Sequence, residues 1–330
     1  MDAFSEILNG IKLNGALFFN AEFSAPWGFA APPSWTLAPA LAPGAPHLVI
    51  YHFVIDGRAA ARTVEGQTLT LEPGDVVVLP HGDPHFFTSG AECAQTTQTD
   101  AVVQKVMTHD FAALRVGGGG ETTRFVCGFM ACDLHLSRPI LGGLPPIFKV
   151  NIRTDLAGHW LENSILHLVD EAASERVGTQ AMLAKLSEAL FVDALRRYVA
   201  TLSEKETGWL AGSRDSIVGK SLALMHKRLD YPWTIAGLAR EVGISRSRLV
   251  ERFTQYLSEP PMTYLTRWRL QFAAHRLSRT SRAVAEIAAD VGYQSEAAFS
   301  RAFNRQFGVP PARYRREQKK PRDGVTERHS

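Results

Sequence analysis

The stretch "VGISRSRLVERF" at 242–253 returns in altered form at 291–303 as "VGYQSEAAFSRAF", so the C-terminal third of the chain must build one small unit twice. An offset of 49 residues pairs Ile235 with Val284, Leu238 with Ile287, Ala239 with Ala288, Val242 with Val291 and Gly243 with Gly292. One inserted residue raises the offset to 50. It then pairs Ser245 with Ser295, Phe253 with Phe303, Pro260 with Pro310, Pro261 with Pro311 and Tyr264 with Tyr314.

Each copy reads as a helix-turn-helix. Thr234 is placed to cap a first helix whose apolar positions Ile235, Leu238, Ala239 and Val242 face inward, and Gly243 supplies the left-handed residue that ends it. Ser245 then caps the second helix. In the second copy Thr280 or Ser281 is the expected first cap, Gly292 the stop and Ser295 the second cap. Ala239 and Ala288 fall where two helices cross closely, a place a larger side chain would block. The second helix of each unit is expected to bury Leu249 and Phe253, or Phe299 and Phe303. Its other face is polar, with the N-terminal positions nearest the base edges of a major groove. The first unit offers Arg246, Ser247, Val250 and Glu251, flanked by Arg248 and Arg252; the second offers Glu296, Ala297, Ser300 and Arg301, with Arg305 beyond.

Charge points the same way. Residues 1–212 hold 14 Lys and Arg against 22 Asp and Glu, whereas residues 213–330 hold 22 against 11. The halves therefore differ in sign, and a basic half favours a polyanion such as double-stranded DNA, because neutralising phosphates releases counterions. At 330 residues and 45% hydrophobic content the chain has material for two cores. No apolar run exceeds strand length and the N-terminus lacks a signal-peptide pattern, so a cytoplasmic protein without membrane partners is expected. Cys93, Cys127 and Cys132 are too few for a disulfide scaffold.

The segments "WTIAGLAREVGISRSRLVERF", "PPMTYLTRWRLQFAAHRL" and "IAADVGYQSEAAFSRAFNRQFGVPPARYR" give residues 215–316 a close resemblance to the DNA-binding domain of the AraC/XylS family of transcription regulators. That resemblance implies two helix-turn-helix units joined by one long helix, here about Met262 to Leu277, that read successive groove segments of promoter DNA. It also implies a homodimer acting on RNA polymerase. Ser258 departs from the family, which usually has Gly before the Pro turn.

Residues 1–40 are irregular and Pro-rich, and from 47 to 153 β-branched and aromatic runs alternate with turn residues. From 155 to 202 the period becomes helical, a hairpin suited to pairing two subunits, and 203–215 reads as a linker. "GDVVVLPHGDPH" fits the spacing G-x5-P-x-G-x2-H with Gly74, Pro80, Gly82 and His85, and resembles the second motif of cupin barrels; Gly57 in "YHFVIDG" resembles the glycine closing the first strand pair. Residues 1–208 thus resemble a cupin-type sensor and dimerisation domain, and 209–330 form the DNA-binding domain. The expected fold class is a two-domain α+β protein, a cupin-like β-barrel with a helical hairpin followed by an all-α domain with two helix-turn-helix units.

Strand alternation directs His52 and Cys127 to the barrel interior, and His85 ends the second motif facing it. His52, His85 and Cys127 are therefore the expected effector site, the alternative being a buried inert cysteine beside two hydrogen-bonded histidines. Two imidazoles and a thiolate would suit zinc or a similar transition metal, and the thiol would also respond to an oxidant. The alternative is a metal-dependent cupin enzyme fused to a DNA-binding domain. A catalytic cupin offers a His-x-His pair, and here His52 is followed by Phe53 and Val54, which favours a regulator that is not an enzyme. His47, His81, His109 and His135 are expected in ordinary turn and strand-end roles, with Trp27 and Trp35 over the barrel mouth.

Overall fold

The computed structural model describes residues 2–11, 14–90, 104, 114–172, 177–203 and 205–319. It divides into two compact units, Lys12–Ser203 and Met1–Ile11 with Glu204–Ser330.

The first unit is built from two sheets. One has six strands in the order β10-β6-β3-β9-β1-β8, and the other four in the order β2-β7-β4-β5. The strands are β1 (Asn14–Ser24), β2 (Gly28–Ala31), β3 (His47–Asp56), β4 (Ala59–Thr63), β5 (Thr68–Leu71), β6 (Asp75–Leu79), β7 (His85–Thr88), β8 (Leu114–Gly117), β9 (Thr122–Cys132) and β10 (Phe148–Asn151). Apolar residues of both sheets, among them Phe23, Phe29, Ile50, Val77, Phe87 and Phe125, form one buried cluster between them. The β-rich expectation for 47–153 and the cupin-like architecture are met.

Strand β3 is buried from Leu48 to Ile55, a run that a sheet exposed on one face would not tolerate. Its even positions Leu48, Ile50 and Val54 enter the inter-sheet cluster. On its odd face Tyr51 reaches helix α5 (Thr179–Thr201), where its hydroxyl meets Ser187 Oγ. This reach needs Gly128 on the neighbouring strand. A Cβ at 128 would lie 2.1 Å from the Tyr51 hydroxyl oxygen. Helix α4 (Leu156–Ala172) packs beside α5 to complete the hairpin expected from the helical period at 155–202. Two shorter helices, α2 (Ser34–Leu41) and α3 (Leu134–Leu141), belong to the same unit.

The second unit contains α1 (Ala3–Gly10), α6 (Trp209–Arg214), α7 (Ser216–Lys227), α8 (Ile235–Val242), α9 (Arg246–Leu257), α10 (Pro261–Arg279), α11 (Val284–Asp290), α12 (Glu296–Phe307) and α13 (Pro311–Lys319). Residues 1–40, expected to be irregular, instead carry α1, β1, β2 and most of α2, and two further features differ from the expectation. Helix α1 packs on α7 and buries Ala3, Ile7 and Ile11, so the first residues of the chain lie with the DNA-binding helices. The expected linker at 203–215 is in large part helix α6, whose Trp209 and Leu210 are buried because they extend the apolar core of this unit.

The repeat folds as two helix-turn-helix heads, α8–α9 and α11–α12, joined by α10. Thr234, Ser245 and Ser295 accept capping bonds from Gly237, Arg248 and Ala298 N–H groups, as expected. The cap expected at Thr280 or Ser281 is absent. Helix α11 starts later, with Ala283 at its N-cap and no side-chain bond there. Ser258 ends α9 with φ +56°, and its repeat counterpart Gly308 ends α12 with φ +75°. The turn therefore keeps its geometry without Gly, at a cost of about 1 kcal/mol for a left-handed non-glycine residue.

Candidate functional site

The outer faces of α9 and α12 carry the side chains available to a groove. Arg246, Ser247, Arg248 and Glu251 are exposed on α9 with Val250 half-buried; Glu296, Ala297, Arg301 and Arg305 are exposed on α12 with Ser300 half-buried. Beneath them Leu249 and Phe253, and Phe299 and Phe303, are fully buried, so the rotation of each helix about its axis is fixed by packing. Arg is suited to a bidentate contact with guanine, Glu to accepting from cytosine, and Val or Ala to a thymine methyl.

Arg252 is the exception among the expected flanking residues. Its Nε and Nη2 donate to Asp215 Oδ2 at 3.0 and 2.7 Å, while Oδ1 of the same carboxylate caps α7 through the N–H groups of Ile217 and Val218. Burial opposes ionisation of Asp215, but the bonds from Val218 and Arg252 outweigh it and hold the carboxyl below its usual value. The Arg252 charge is thus spent on tethering α9 to α7. Sequence alone gave no sign of this, because the two residues are 37 positions apart.

Inside the barrel, β3 and β9 are antiparallel neighbours with His52 opposite Cys127, and β7 begins at His85. His52 Nδ1 lies 2.7 Å from Cys127 Sγ, and His52 Nε2 lies 3.0 Å from His85 Nε2. His85 Nδ1 lies 2.9 Å from the Asp83 carbonyl oxygen. A carbonyl only accepts, so His85 carries its proton on Nδ1 and its Nε2 accepts. His52 must then donate from Nε2 and accept at Nδ1, which leaves the Cys127 S–H as donor. The three side chains form one directed line of hydrogen bonds ending on the backbone.

All three are neutral at physiological pH. Burial pushes the Cys127 thiol well up; burial, then the neighbouring His85, lowers His52 well below the ordinary imidazole value; burial, opposed by the Asp83 carbonyl, brings His85 down to about 4. Phe87 packs edge-on against both imidazoles. Trp27, expected over the mouth, is fully buried and stacked on Phe23 at 4.8 Å, because the inter-sheet space is aromatic; Trp35 is 64% exposed.

The structure brings together the trio expected from sequence, but not as converging metal ligands. One ion bound at about 2.0–2.3 Å needs all three donors aimed at a single point. Here Cys127 and His85 face opposite edges of the His52 ring, so no point is shared by all three. Among the described residues no group of three or more His, Cys, Asp or Glu is disposed to hold a metal. His47 and His81 lie within hydrogen-bond distance of the Pro80 and Leu144 carbonyls; His109 and the side chain of His135 lie outside the described residues.

Two helix-turn-helix heads on a basic unit, joined to a cupin-like domain with a buried polar line, define a two-domain DNA-binding protein. The Cupin family model matches residues 2–200 and a helix-turn-helix domain model matches residues 238–317. The chain belongs to the AraC family of transcription regulators, with a cupin N-terminal domain. It is 31% identical to a putative AraC-like transcription regulator of Streptomyces lividans over 84% of this chain and 90% of that one. It is 28% identical to the HTH-type transcriptional regulator AlkR of Acinetobacter baylyi, over 96% of this chain and all of the relative. Identity to the RCS-specific HTH-type transcriptional activator RclR of Escherichia coli is 28% over 81% of this chain and 84% of that one. Among the described residues no helix is long and apolar enough to cross a membrane.

Proposed function

We propose that this DNA-binding regulator is switched by a thiol-reactive oxidant at Cys127, and that it is a regulator rather than an enzyme. The supporting observation is the line Cys127–His52–His85–Asp83 carbonyl, which places a proton acceptor on the thiol and holds that acceptor in one tautomer. With a hydroperoxide, the Cys127 proton passes to His52 Nδ1 as sulfur attacks the terminal peroxide oxygen. The O–O bond breaks, the leaving oxygen takes the proton and departs as alcohol or water, and Cys127 becomes a sulfenic acid. Sulfur loses two electrons and the peroxide gains them. The new oxygen would break the hydrogen bond to His52 and crowd Phe125 and Phe129, its neighbours on the same strand face. Peroxide treatment of the purified protein should add one oxygen to Cys127 and change promoter affinity by about tenfold, or 1.4 kcal/mol. A Cys127→Ser protein with an unchanged response would move the search to an organic ligand of the barrel.

We assign DNA reading to the outer faces of α9 and α12: Arg246, Ser247, Val250 and Glu251 in one head, and Glu296, Ala297, Ser300 and Arg301 in the other. Arg301→Ala should relax specificity at one base position at a cost of about 1–3 kcal/mol, read by binding to every single-base variant of a selected site. Equal losses on specific and random DNA would remove Arg301 from the reading set.

The same proposal includes subunit pairing through α4 and α5, with the promoter-bound dimer acting on RNA polymerase. Helix α5 carries Met182 at 57% exposure on its outer side. Pairing raises the effective concentration of the second reading unit to about millimolar without new DNA contacts. The full chain should therefore sediment as a dimer at micromolar concentration and Met182→Glu should shift it toward monomer. A monomeric wild type would refute the pairing.

A further inference from the structure

Two heads joined by one helix share only that helix as a constraint, and helices bend. Here the loop between α7 and α8 makes a second connection. Leu229 of this first-head loop packs against an apolar cluster that α10 (Leu270, Ala273, Leu277) and the second head (Ile287, Val291, Phe299) build together. Arg269, midway along α10, donates from Nε to the Leu229 carbonyl at 2.8 Å and from Nη2 to the Tyr231 carbonyl at 2.6 Å. The loop is stiffened from within, since the Arg228 guanidinium lies 3.8 Å from the centre of the Tyr231 ring and Trp233 Nε1 donates to the Arg228 carbonyl at 3.1 Å.

The repeat supplies an internal control. Gly243 and Gly292 are counterparts, and both take positive φ in the turn between helices, at +89° and +80°. A Cβ added at Gly243 would meet nothing within 4 Å. One added at Gly292 would lie 2.7 Å from Arg269 Nη2 and 2.7 Å from the Asp230 carbonyl oxygen. The first glycine answers to backbone conformation alone. The second also lets the turn of the second head close onto the loop of the first.

We propose that Arg269, the 228–233 loop and Gly292 form a lock that fixes the rotational phase of the two reading heads, so that Arg269 and Gly292 are positioning residues for operator spacing. The proposal rests on the two-headed reading of DNA. Adding one base pair between the two contacted segments shifts one relative to the other by about 35° and 3.4 Å, which a locked pair of heads does not follow.

The test uses the full-length protein and a duplex selected by the wild type from a randomised pool, with versions lengthened or shortened by one base pair between the protected segments. Wild type should lose about tenfold or more on either altered spacing, whereas Arg269→Ala should bind the parent duplex more weakly and discriminate by less than about threefold. Arg269→Lys, which keeps the charge and reaches one carbonyl, should fall between. Asn tolerates positive φ, so Gly243→Asn should retain wild-type discrimination while Gly292→Asn loses it. Arg269→Lys and the Gly292→Asn and Gly243→Asn pair carry the comparison if Arg269→Ala does not fold. Two protected segments with wild-type discrimination in Arg269→Lys and Gly292→Asn would overturn the lock. A wild type protecting one segment would instead refute the two-headed reading on which it rests.

Discussion

Acidification from pH 7 to pH 4 should remove about 3 kcal/mol of stability from the DNA-binding unit through one side chain, His226. Its ring stacks 4.7 Å from Trp268 and 6.2 Å from Trp209. Trp209 Nε1 donates to the Tyr264 hydroxyl oxygen at 2.9 Å, and that hydroxyl lies 2.8 Å from His226 Nε2. That hydroxyl donates to His226 Nε2 or accepts from it, according to the imidazole tautomer. The other ring nitrogen is buried without a hydrogen-bond partner. Burial brings the imidazole from its ordinary 6.5 down to about 3. Between those values the unfolded chain binds a proton that the folded chain refuses, so stability is full above about pH 6.5 and is lost as pH falls toward 3. At about 1.4 kcal/mol per unit, the fall to pH 4 accounts for the stated loss. Denaturant unfolding across this range, compared with His226→Gln, isolates the effect: the variant should show a flatter pH dependence. Parallel curves would mean that His226 protonates without cost.

Phe303→Ala should cost about 3–5 kcal/mol and remove the second head as a reading element. Phe303 is fully buried, with ring centres at 4.4 Å from Phe307, 5.3 Å from Tyr314 and 5.5 Å from Phe299. Truncation leaves a cavity among the rings of Phe299, Phe307 and Tyr314. Phe303→Leu keeps more of the volume and should lose less. The expected binding phenotype is a footprint reduced to the segment contacted by the first head. Near-wild-type stability of Phe303→Ala would contradict the packing described for α12.

What was legible in the sequence follows the range of the interactions. The repeat specifies its helices, caps and inward positions locally, so the two heads were readable to within a few residues. Period-two alternation in "RFVCGFMACD", with the cupin-type spacing ending at His85, was enough to place His52, His85 and Cys127 in one interior. The order of hydrogen bonds among them was not readable, because it depends on which ring edges face each other and on a carbonyl at Asp83. Helix α1 was hidden for a similar reason. Its partner α7 lies more than two hundred residues away, and nothing in "AFSEILNG" specifies which unit it covers. The Asp215 to Arg252 tether and the Arg269 contacts with the 228–233 loop are likewise long-range choices of particular donors.

One chain that reads two groove segments with two differently equipped heads leaves a double footprint on a duplex selected by the full-length protein. Footprinting should show two protected segments for each subunit, centred about one helical turn apart on one face of the DNA. Protection of a single segment per subunit, or of two segments on opposite faces, would contradict the two-headed reading.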